Sequence, residues 1–400
     1  MSSVPITEPV AGAGEHAAAL TSVIDTVVAP DAAEVDRGGT FPRAGVQALG
    51  KAGVLGLMSA PEVGGPGAGL GAAAHVVERL AGVCGSTAMV VLMHYAATSV
   101  LEAHGPGEVR RAIAAGEHVT TLAFSEAGSR SHFWAPVGTA DLAGGDTAGG
   151  AAGGAVVRLR AQKSWVTSAG EADTYVWSSR PLNAPGPMTL WAVPSRAAGL
   201  TVRGTFDGLG LRGNASSPVT ADDVQVPVDA MLGGDGSGLD IALQTVLPNF
   251  LVLNAAFSVG VMEALTGLAQ EHLTRTRLTH LGQTLADQPM ARSGFARLRI
   301  RTDEARAFLR DTLDALDAGR PDATLRVLQV KAVAAEAASE VADGVMRLCG
   351  GSAFRKELGV ERRFRDALAA RVMAPTTEAL TDFVARACLG RPLLDEEDAR

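Results

Sequence analysis

The residues of this sequence that could do chemistry are one tryptophan beside hydroxyl groups and a few isolated titratable side chains. Trp165 and Thr167 share the segment Gln162–Ser168, where a large packing surface lies next to a hydroxyl group. His94 and His132 each stand alone along the chain. Taken singly, each of these residues is more typical of a structural position, so only their order along the chain can point to a shared site.

The cysteines predict neither a metal site nor a disulfide framework. Cys84, Cys349 and Cys388 lie far apart, and no CxxC pair or other metal-ligand spacing is present. An odd number of cysteines argues against a disulfide framework and favours a reducing cytoplasm. We therefore expect a cytoplasmic protein without a bound metal.

Charge and hydropathy exclude two classes of partner. The formal net charge is -8, whereas binding to nucleic acid phosphates needs clustered lysine and arginine. The residues before Glu15 contain neither a basic region nor a long apolar run, so no signal peptide is expected. No run of about 18 apolar residues is evident, and we predict no membrane span.

The periodicity of the chain changes twice. Residues 15–115 read as helices, and the pattern becomes helical again from about Ser237 to the end. Ala323–Leu348 shows the clearest apolar stripe, which Cys349-Gly350-Gly351 ends. Gly144–Gly154 is a glycine–alanine segment that we interpret as a hairpin connection. Between the helical parts we predict strands at Val119–Phe124, Ala155–Ala161, Tyr175–Ser178, Met188–Val193 and Val219–Val226.

Six short segments together resemble one family, the acyl-CoA dehydrogenases, over nearly the whole chain. They are Pro61–Gly65 (PEVGG), Leu122–Gly128 (LAFSEAG), Gln162–Ser168 (QKSWVTS), Asp222–Pro227 (DDVQVP), Cys349–Gly351 (CGG) and Phe364–Ala367 (FRDA). Each is weak alone, and their order and spacing make the resemblance specific. It implies an α+β protein with an N-terminal helical domain (1–117), a central β domain (118–234) and a C-terminal four-helix bundle (235–400).

The resemblance also implies FAD as the cofactor, bound between the β domain and the bundle of a homodimer or homotetramer. Trp165 would pack on the flavin, and Ser125 and Thr167 would bond its polar edge. Arg277 lies eleven residues before Gln288, the family's spacing for a cofactor-binding pair on a helix of the neighbouring subunit. The residues matched to the cofactor are Phe124, Ser125, Ser131, Trp165, Thr167, Arg277, Gln288, Arg347, Gly350, Gly351, Thr376 and Glu378.

The sequence departs from the family at the catalytic base. A glutamate normally removes the substrate's α-proton from one of two places, and here these places hold Ala374 and Phe250. Neither side chain can accept a proton. Glu378 lies one helical turn beyond Ala374, but the distance from the FRDA segment matches Ala374. No catalytic residue can therefore be assigned.

A second departure lies in the loop after Glu126, where the family has a GSD segment and this chain has bulky residues. His132, Phe133 and Trp134 would either reshape the substrate channel or anchor the loop in the β domain. His94, His132, Phe250 and Ala374 are the predicted substrate-pocket residues.

Three hypotheses follow from these departures. The first is a flavin-dependent oxidoreductase acting on an acyl thioester or a specialised-metabolism intermediate, with His94, His132 or Glu126 as the nearest candidate bases. The second is a flavin-dependent monooxygenase, which needs no glutamate and would use a flavin reductase or another electron partner. The third is a non-redox role, which is either a flavin-dependent elimination or cyclisation or a folded scaffold that has lost catalysis. The substrate, and whether CoA or a carrier protein bears it, cannot be read from these residues.

Overall fold

A computed structural model describes residues 14–128, 132–143 and 155–394. In the described residues the N-terminal part is built from six α-helices, with a longer connection at residues 52–68 between the third and the fourth. They are α1 (Gly14–Val23), α2 (Ala29–Gly38), α3 (Arg43–Lys51), α4 (Gly69–Ala81), α5 (Gly85–His104) and α6 (Gly107–Ala114), with a π-helical turn at Ile24–Val28 between α1 and α2. Helix α5 is apolar on nearly every face because it lies between other helices and the first strand.

The central part contains two four-stranded sheets. Its strands are β1 (Thr120–Ala123), β2 (Thr139–Leu142), β3 (Val156–Val166), β4 (Thr174–Ser179), β5 (Thr189–Pro194), β6 (Leu200–Val202), β7 (Ser217–Pro227) and β8 (Met231–Leu232). One sheet has the order β1-β4-β5-β8, with β1 and β4 parallel, and the other has the antiparallel order β2-β3-β7-β6. The two sheets share a core that includes Trp177, Trp191 and Val219.

The five predicted strands are all present. The sequence missed β2, β6 and β8, which have only two to four residues each and little alternation to detect. The predicted hairpin connection at Gly144–Gly154 lies wholly outside the described residues.

The C-terminal part is a helical bundle in which α8, α9, α10 and α13 pack together. Its helices are α7 (Gly238–Ile241), α8 (Leu247–Arg275), α9 (Pro289–Asp317), α10 (Ala323–Cys349), α11 (Val360–Ala367), α12 (Ala369–Val372) and α13 (Thr377–Cys388), with a π-helical turn at Ala242–Val246. A small hairpin, β9 (Arg277–Leu278) and β10 (Gln283–Thr284), separates α8 from α9. Helix α10 matches the predicted stripe to within one residue.

The helix that runs from Gly238 to Arg275 is long and apolar enough to cross a bilayer by length and composition. Of its most apolar window, 83% is buried inside the protein. This burial is typical of the central helix of a folded bundle, which explains an apolar stretch that the sequence had not singled out.

Candidate active site

One wall of the candidate site is formed where β3 bulges at Trp165. The pairing between β3 and β7 shifts between Lys163 and Val166, and Trp165 adopts a φ of 56°. This left-handed conformation is uncommon outside glycine, and a bulge of this kind re-aims a side chain. The Trp165 side chain is 70% exposed, so a large flat surface projects from the sheet.

The neighbouring strand ends are joined to this bulge by hydrogen bonds. The Ser164 amide donates to the Ser125 carbonyl at 2.9 Å, which brings the end of β1 against β3. Phe124 is buried and Ser125 is half-buried. Thr167 is buried, with its Oγ1 3.0 Å from the Oγ of Ser216. The structure thus brings together four of the predicted cofactor residues, Phe124, Ser125, Trp165 and Thr167, whereas Ser131 lies outside the described residues.

Lys163 of β3 links the chain at the end of β1 to Ser178 of β4 through hydrogen bonds. Its fully buried ammonium lies 2.6 Å from Glu126 Oε1, 2.8 Å from Ser178 Oγ, 2.7 Å from the Ser178 carbonyl and 3.5 Å from the Phe124 carbonyl. Burial lowers the pKa of Lys163 to about 8, and the adjacent Glu126 carboxylate opposes that shift. The ion pair therefore fixes the chain on both sides of Ser125.

Glu126 is occupied on both oxygens. Its Oε2 accepts hydrogen bonds from the backbone amides of Val137 at 2.6 Å and Gly138 at 3.0 Å, while Oε1 faces Lys163. A carboxylate with these partners closes the loop between β1 and β2. It is a structural group, so its candidacy as a relocated base is not supported.

The aromatic residues of that loop pack against the helical bundle. Trp134 is buried, with its ring centroid 5.6 Å from that of Phe383 on α13 and 5.1 Å from that of Phe133. His132 is exposed and meets the edge of Trp134 at 4.9 Å between centroids. The loop is therefore anchored, which was one of the two predicted alternatives for these aromatic residues. The anchor is α13 of the bundle and not the β domain. His132 lies on the outer side of the loop.

A second wall is formed by the segment that carries Ala374. Lys331 of α10 is fully buried, and its ammonium donates to the carbonyl oxygens of Met373 at 2.8 Å and Pro375 at 2.7 Å. Burial lowers the pKa of Lys331 to about 7, opposed by the charge of Glu378. The lysine thus holds the chain on either side of Ala374, whose peptide bond to Pro375 is cis.

Helix α8 brings two more side chains to this segment. Asn254 is fully buried and its Nδ2 donates to Met373 Sδ at 3.9 Å, while its buried Oδ1 has no partner among the residues that the structure describes. Phe250 lies one turn earlier on the same face of α8 and is also buried. Ala374 itself is half-buried. Of the two predicted places for the glutamate, Phe250 is therefore buried, whereas Ala374 is half-buried beside the polar side chains of Lys331 and Asn254.

The predicted cofactor residues of the C-terminal region lie at helix ends. Gly350 ends α10 with φ 58° and ψ -143°, a conformation that favours glycine, and a Cβ at Gly350 or Gly351 would meet no atom within 4 Å. Arg347 is exposed and pairs with Asp343 at 2.9 Å. Thr376 Oγ1 caps α13 by accepting from the Ala379 amide at 3.3 Å, and Glu378 is exposed in the first turn.

Arg277 and Gln288 are not on a helix, which corrects the prediction. Helix α8 ends at Arg275 because Thr276 is extended, and Arg277 lies on the exposed strand β9. Gln288 directly precedes α9 and bonds Gln283 of β10 at 2.9 Å. Both belong to the hairpin region between the two long helices.

His94 is held in the core by two backbone groups. Its Nε2 lies 3.0 Å from the Leu55 carbonyl, and the Thr120 amide donates to its Nδ1 at 3.2 Å. Burial lowers its pKa to about 4, so the ring is neutral near pH 7. With both nitrogens occupied and no exposed surface, the prediction that His94 faces a substrate is not supported.

Sequence reasoning gave no role to Lys331, Lys163 or Asn254. The available signal was a polar residue inside an apolar stretch: Lys331 follows Val330 in the stripe of α10, and Asn254 follows Leu253 in α8. A buried polar group is informative because it must find partners or serve a function. The positions of those partners, Met373 and Pro375, become evident only in the folded chain.

Three family models match this chain in the order of its domains. They are the N-terminal domain of acyl-CoA dehydrogenase at residues 15–116, the middle domain at 121–224 and the C-terminal domain at 236–389. The chain belongs to the acyl-CoA dehydrogenase superfamily.

Similar proteins match it over nearly their whole length. A probable acyl-CoA dehydrogenase of Bacillus subtilis is 28% identical over 370 residues, covering 90% of this chain and 94% of the relative. The short-chain specific acyl-CoA dehydrogenase of Clostridium acetobutylicum is 26% identical, covering 88% and 91%. The structure of butyryl-CoA dehydrogenase from Megasphaera elsdenii shares the fold with a TM-score of 0.87 at 20% identity, covering 96% of this chain and 99% of that one.

Proposed function

We propose that this acyl-CoA dehydrogenase superfamily member is an FAD-dependent oxidoreductase that acts on an acyl thioester without the family's glutamate base. Relatives named as acyl-CoA dehydrogenases, at 26–28% identity over most of the chain, support the substrate class. One observation supports the cofactor and the missing base. The exposed Trp165 surface of the β domain is present, while Ala374 and Phe250 stand at the two predicted places for the base.

The residues of the β-domain wall fit a flavin. An indole that is 70% exposed at Trp165 offers the flat apolar surface on which an isoalloxazine ring packs. Ser168, directly after Thr167, has a buried hydroxyl without a protein partner, as does Thr377 at the start of α13. Such orphaned groups at both walls are consistent with a ligand that supplies their missing hydrogen bonds.

In this proposal the chain's own residues bind and orient the cofactor. Trp165 would pack on the flavin, Ser125 and Thr167 would bond its polar edge, and the backbone of Phe124 would lie alongside. Gly350 and Gly351 leave open space for close approach of the cofactor. When bound, FAD supplies the electron-accepting chemistry, and the protein contributes position and electrostatics.

Contacts from a second protomer would complete the cofactor site. Arg277 is exposed on its hairpin, and an arginine fork suits phosphate oxygens; we assign it, with Gln288, to the FAD of a neighbouring protomer. The exposed apolar side chains Met290, Phe354 and Leu389 in the C-terminal part support a homodimer or homotetramer. Arg347, Thr376 and Glu378 are assigned to the adenosine and phosphate side.

In this proposal the segment around Ala374 and Phe250 lacks the family's glutamate base, because neither side chain can accept a proton. Among the described residues next to Ala374, Lys331 is committed to two carbonyls and Asn254 has no acid–base function near neutral pH. Proton removal is then assigned to His132, to the substrate's own groups or to solvent, or it is absent from the reaction. His132 is the one predicted base candidate with an exposed ring.

Oxygenation by the reduced flavin is the second candidate function. It is favoured by the small side chain of Ala374, which leaves room where the glutamate would stand, and by the lack of any need for a base. In that case a flavin reductase or another electron donor would be the partner. For the first candidate function, thioester oxidation, the partner would instead be an electron acceptor.

Anaerobic mixing of the FAD-loaded protein with butyryl-CoA separates the two functions. Bleaching of the oxidised flavin band supports thioester oxidation, whereas oxygen-dependent product formation after chemical reduction of the flavin supports oxygenation. An Ala374→Glu variant should gain bleaching by at least about 100-fold, since a positioned base contributes that order of rate. A protein that cannot be reconstituted with FAD contradicts the proposal.

A further inference from the structure

The amide of Asn254 is the polar group in the helical wall that the proposed function leaves unexplained. It is fully buried in the middle of α8, between Phe250 one turn before and Ser258 one turn after. Ser258 is satisfied because its hydroxyl donates to the Asn254 carbonyl at 3.0 Å. The Asn254 side chain has a weak thioether acceptor for its Nδ2 and no partner for its Oδ1.

The backbones on both sides of the contact between Asn254 and Met373 are held in place within the protein. Helix α8 fixes the Asn254 backbone, and Lys331 fixes the backbone of Met373 through its carbonyl at 2.8 Å. Leucine would fill a similar volume on this apolar helix without an unsatisfied atom, and such a replacement is often stabilising. A group kept at a cost to stability points to a ligand that completes its hydrogen bonds.

The position of Asn254 identifies which part of a ligand it would meet. Its Nδ2 contacts Met373, which directly precedes Ala374, and Phe250 lies on the same face of α8. These are the two places at which the family's base would meet the reacting carbons of the acyl group. The inference therefore rests on the proposed function, in which an acyl thioester reaches this wall.

We propose that Asn254 is a specificity-determining residue whose Oδ1 accepts a hydrogen bond from a hydroxyl group on the acyl part of the substrate. A hydroxyl fits because it is an uncharged donor. An ammonium group would add a second buried cation beside Lys331, and no carboxylate is bonded to either residue in the described structure. The substrate class is thus a hydroxyacyl thioester.

The test uses the FAD-loaded protein and four probes: butyryl-CoA, 3-hydroxybutyryl-CoA, 4-hydroxybutyryl-CoA and 4-aminobutyryl-CoA. Dissociation constants come from perturbation of the flavin spectrum under anaerobic conditions and from thermal shift, which does not depend on the flavin. We expect at least one hydroxyacyl probe to bind about tenfold more tightly than butyryl-CoA, the contribution of one hydrogen bond.

An Asn254→Leu variant should lose this tenfold preference and melt, without ligand, at the same or a higher temperature than the wild type. Asn254→Val serves as a second variant if the larger side chain does not fit. Ser258→Ala is the matched control, because it removes a neighbouring buried hydroxyl that already has a partner, and it should keep the preference.

Equal binding of butyryl-CoA and both hydroxyacyl probes by the wild type overturns the assignment, as does an unchanged preference in Asn254→Leu. Tightest binding of 4-aminobutyryl-CoA overturns the hydroxyl assignment. An ordered water on Oδ1 in a crystal structure, together with no preference, shows a hydration site only. If none of the four thioesters perturbs the flavin or the melting temperature, the proposed function itself fails.

Discussion

The two walls of the candidate site are each fastened by one buried lysine, but the lysines are satisfied in different ways. Lys163 of the β domain has a carboxylate at 2.6 Å in addition to Ser178, whereas the partners of Lys331 within the described residues are the carbonyls of Met373 and Pro375. The lysine with the counter-ion has a pKa of about 8, and the one without it a pKa of about 7. A paired ion is costly to break, while a lysine on carbonyls is closer to neutral.

The largest effect is expected for Lys163→Met. This change leaves Glu126 as a buried carboxylate without its cation, and we expect a loss of about 3–5 kcal/mol in the free energy of unfolding. Urea unfolding at pH 7 measures it, with the exposed Lys51→Met as control. Adding Glu126→Gln should restore part of the loss. A loss of less than about 1 kcal/mol would show that the ion pair is not the fastening of this wall.

Lys331→Met should cost less, about 1–3 kcal/mol, because it strands two carbonyl oxygens and no charge. The same unfolding measurement applies, with the exposed Lys356→Met as its control. If Lys331→Met proves more damaging than Lys163→Met, the distinction between a paired and an unpaired lysine is wrong for this protein.

The pH dependence of stability should distinguish the lysines further. Each pKa is lowered in the folded protein, so above that pKa the unfolded chain binds a proton that the folded chain does not, and stability rises with pH. The contribution of Lys331 should therefore grow from about pH 7 towards 10, and that of Lys163 from about pH 8.

The slope is about 1 kcal/mol per pH unit, seen as the difference between wild type and each methionine variant. Unfolding free energies measured at half-unit steps from pH 6 to 9.5 provide the test. Parallel profiles for wild type and Lys331→Met would contradict a lowered pKa at that residue.

The smallest effect is expected for Ser178→Ala, about 0.5–1.5 kcal/mol. It removes one of the oxygens around Lys163 and leaves the Glu126 carboxylate and the Ser178 carbonyl in place. The position of the thermal unfolding midpoint is sufficient to detect it. A loss as large as that of Lys163→Met would assign the fastening to the hydroxyl rather than to the ion pair.

The sequence by itself determined the family and the order of helical and β parts, and it predicts two substitutions at the base. These depend on local patterns: the period of apolar residues in α10, the alternation in the longer strands, and short motifs such as QKSWVTS around Trp165. Ala374 and Phe250 could be placed because they stand at fixed distances from such motifs.

Only the tertiary structure decided which polar side chains have hydrogen-bond partners within the protein. His94 and Glu126 looked like candidate bases in the sequence, and the folded chain occupies them with backbone amides, a backbone carbonyl and Lys163. Lys331 and Asn254 looked unimportant and prove to contact the segment around Ala374. Hydrogen-bond partners such as these lie far apart in sequence and come together only on folding. Desolvation, which sets their pKa values, is likewise a property of the whole packed chain.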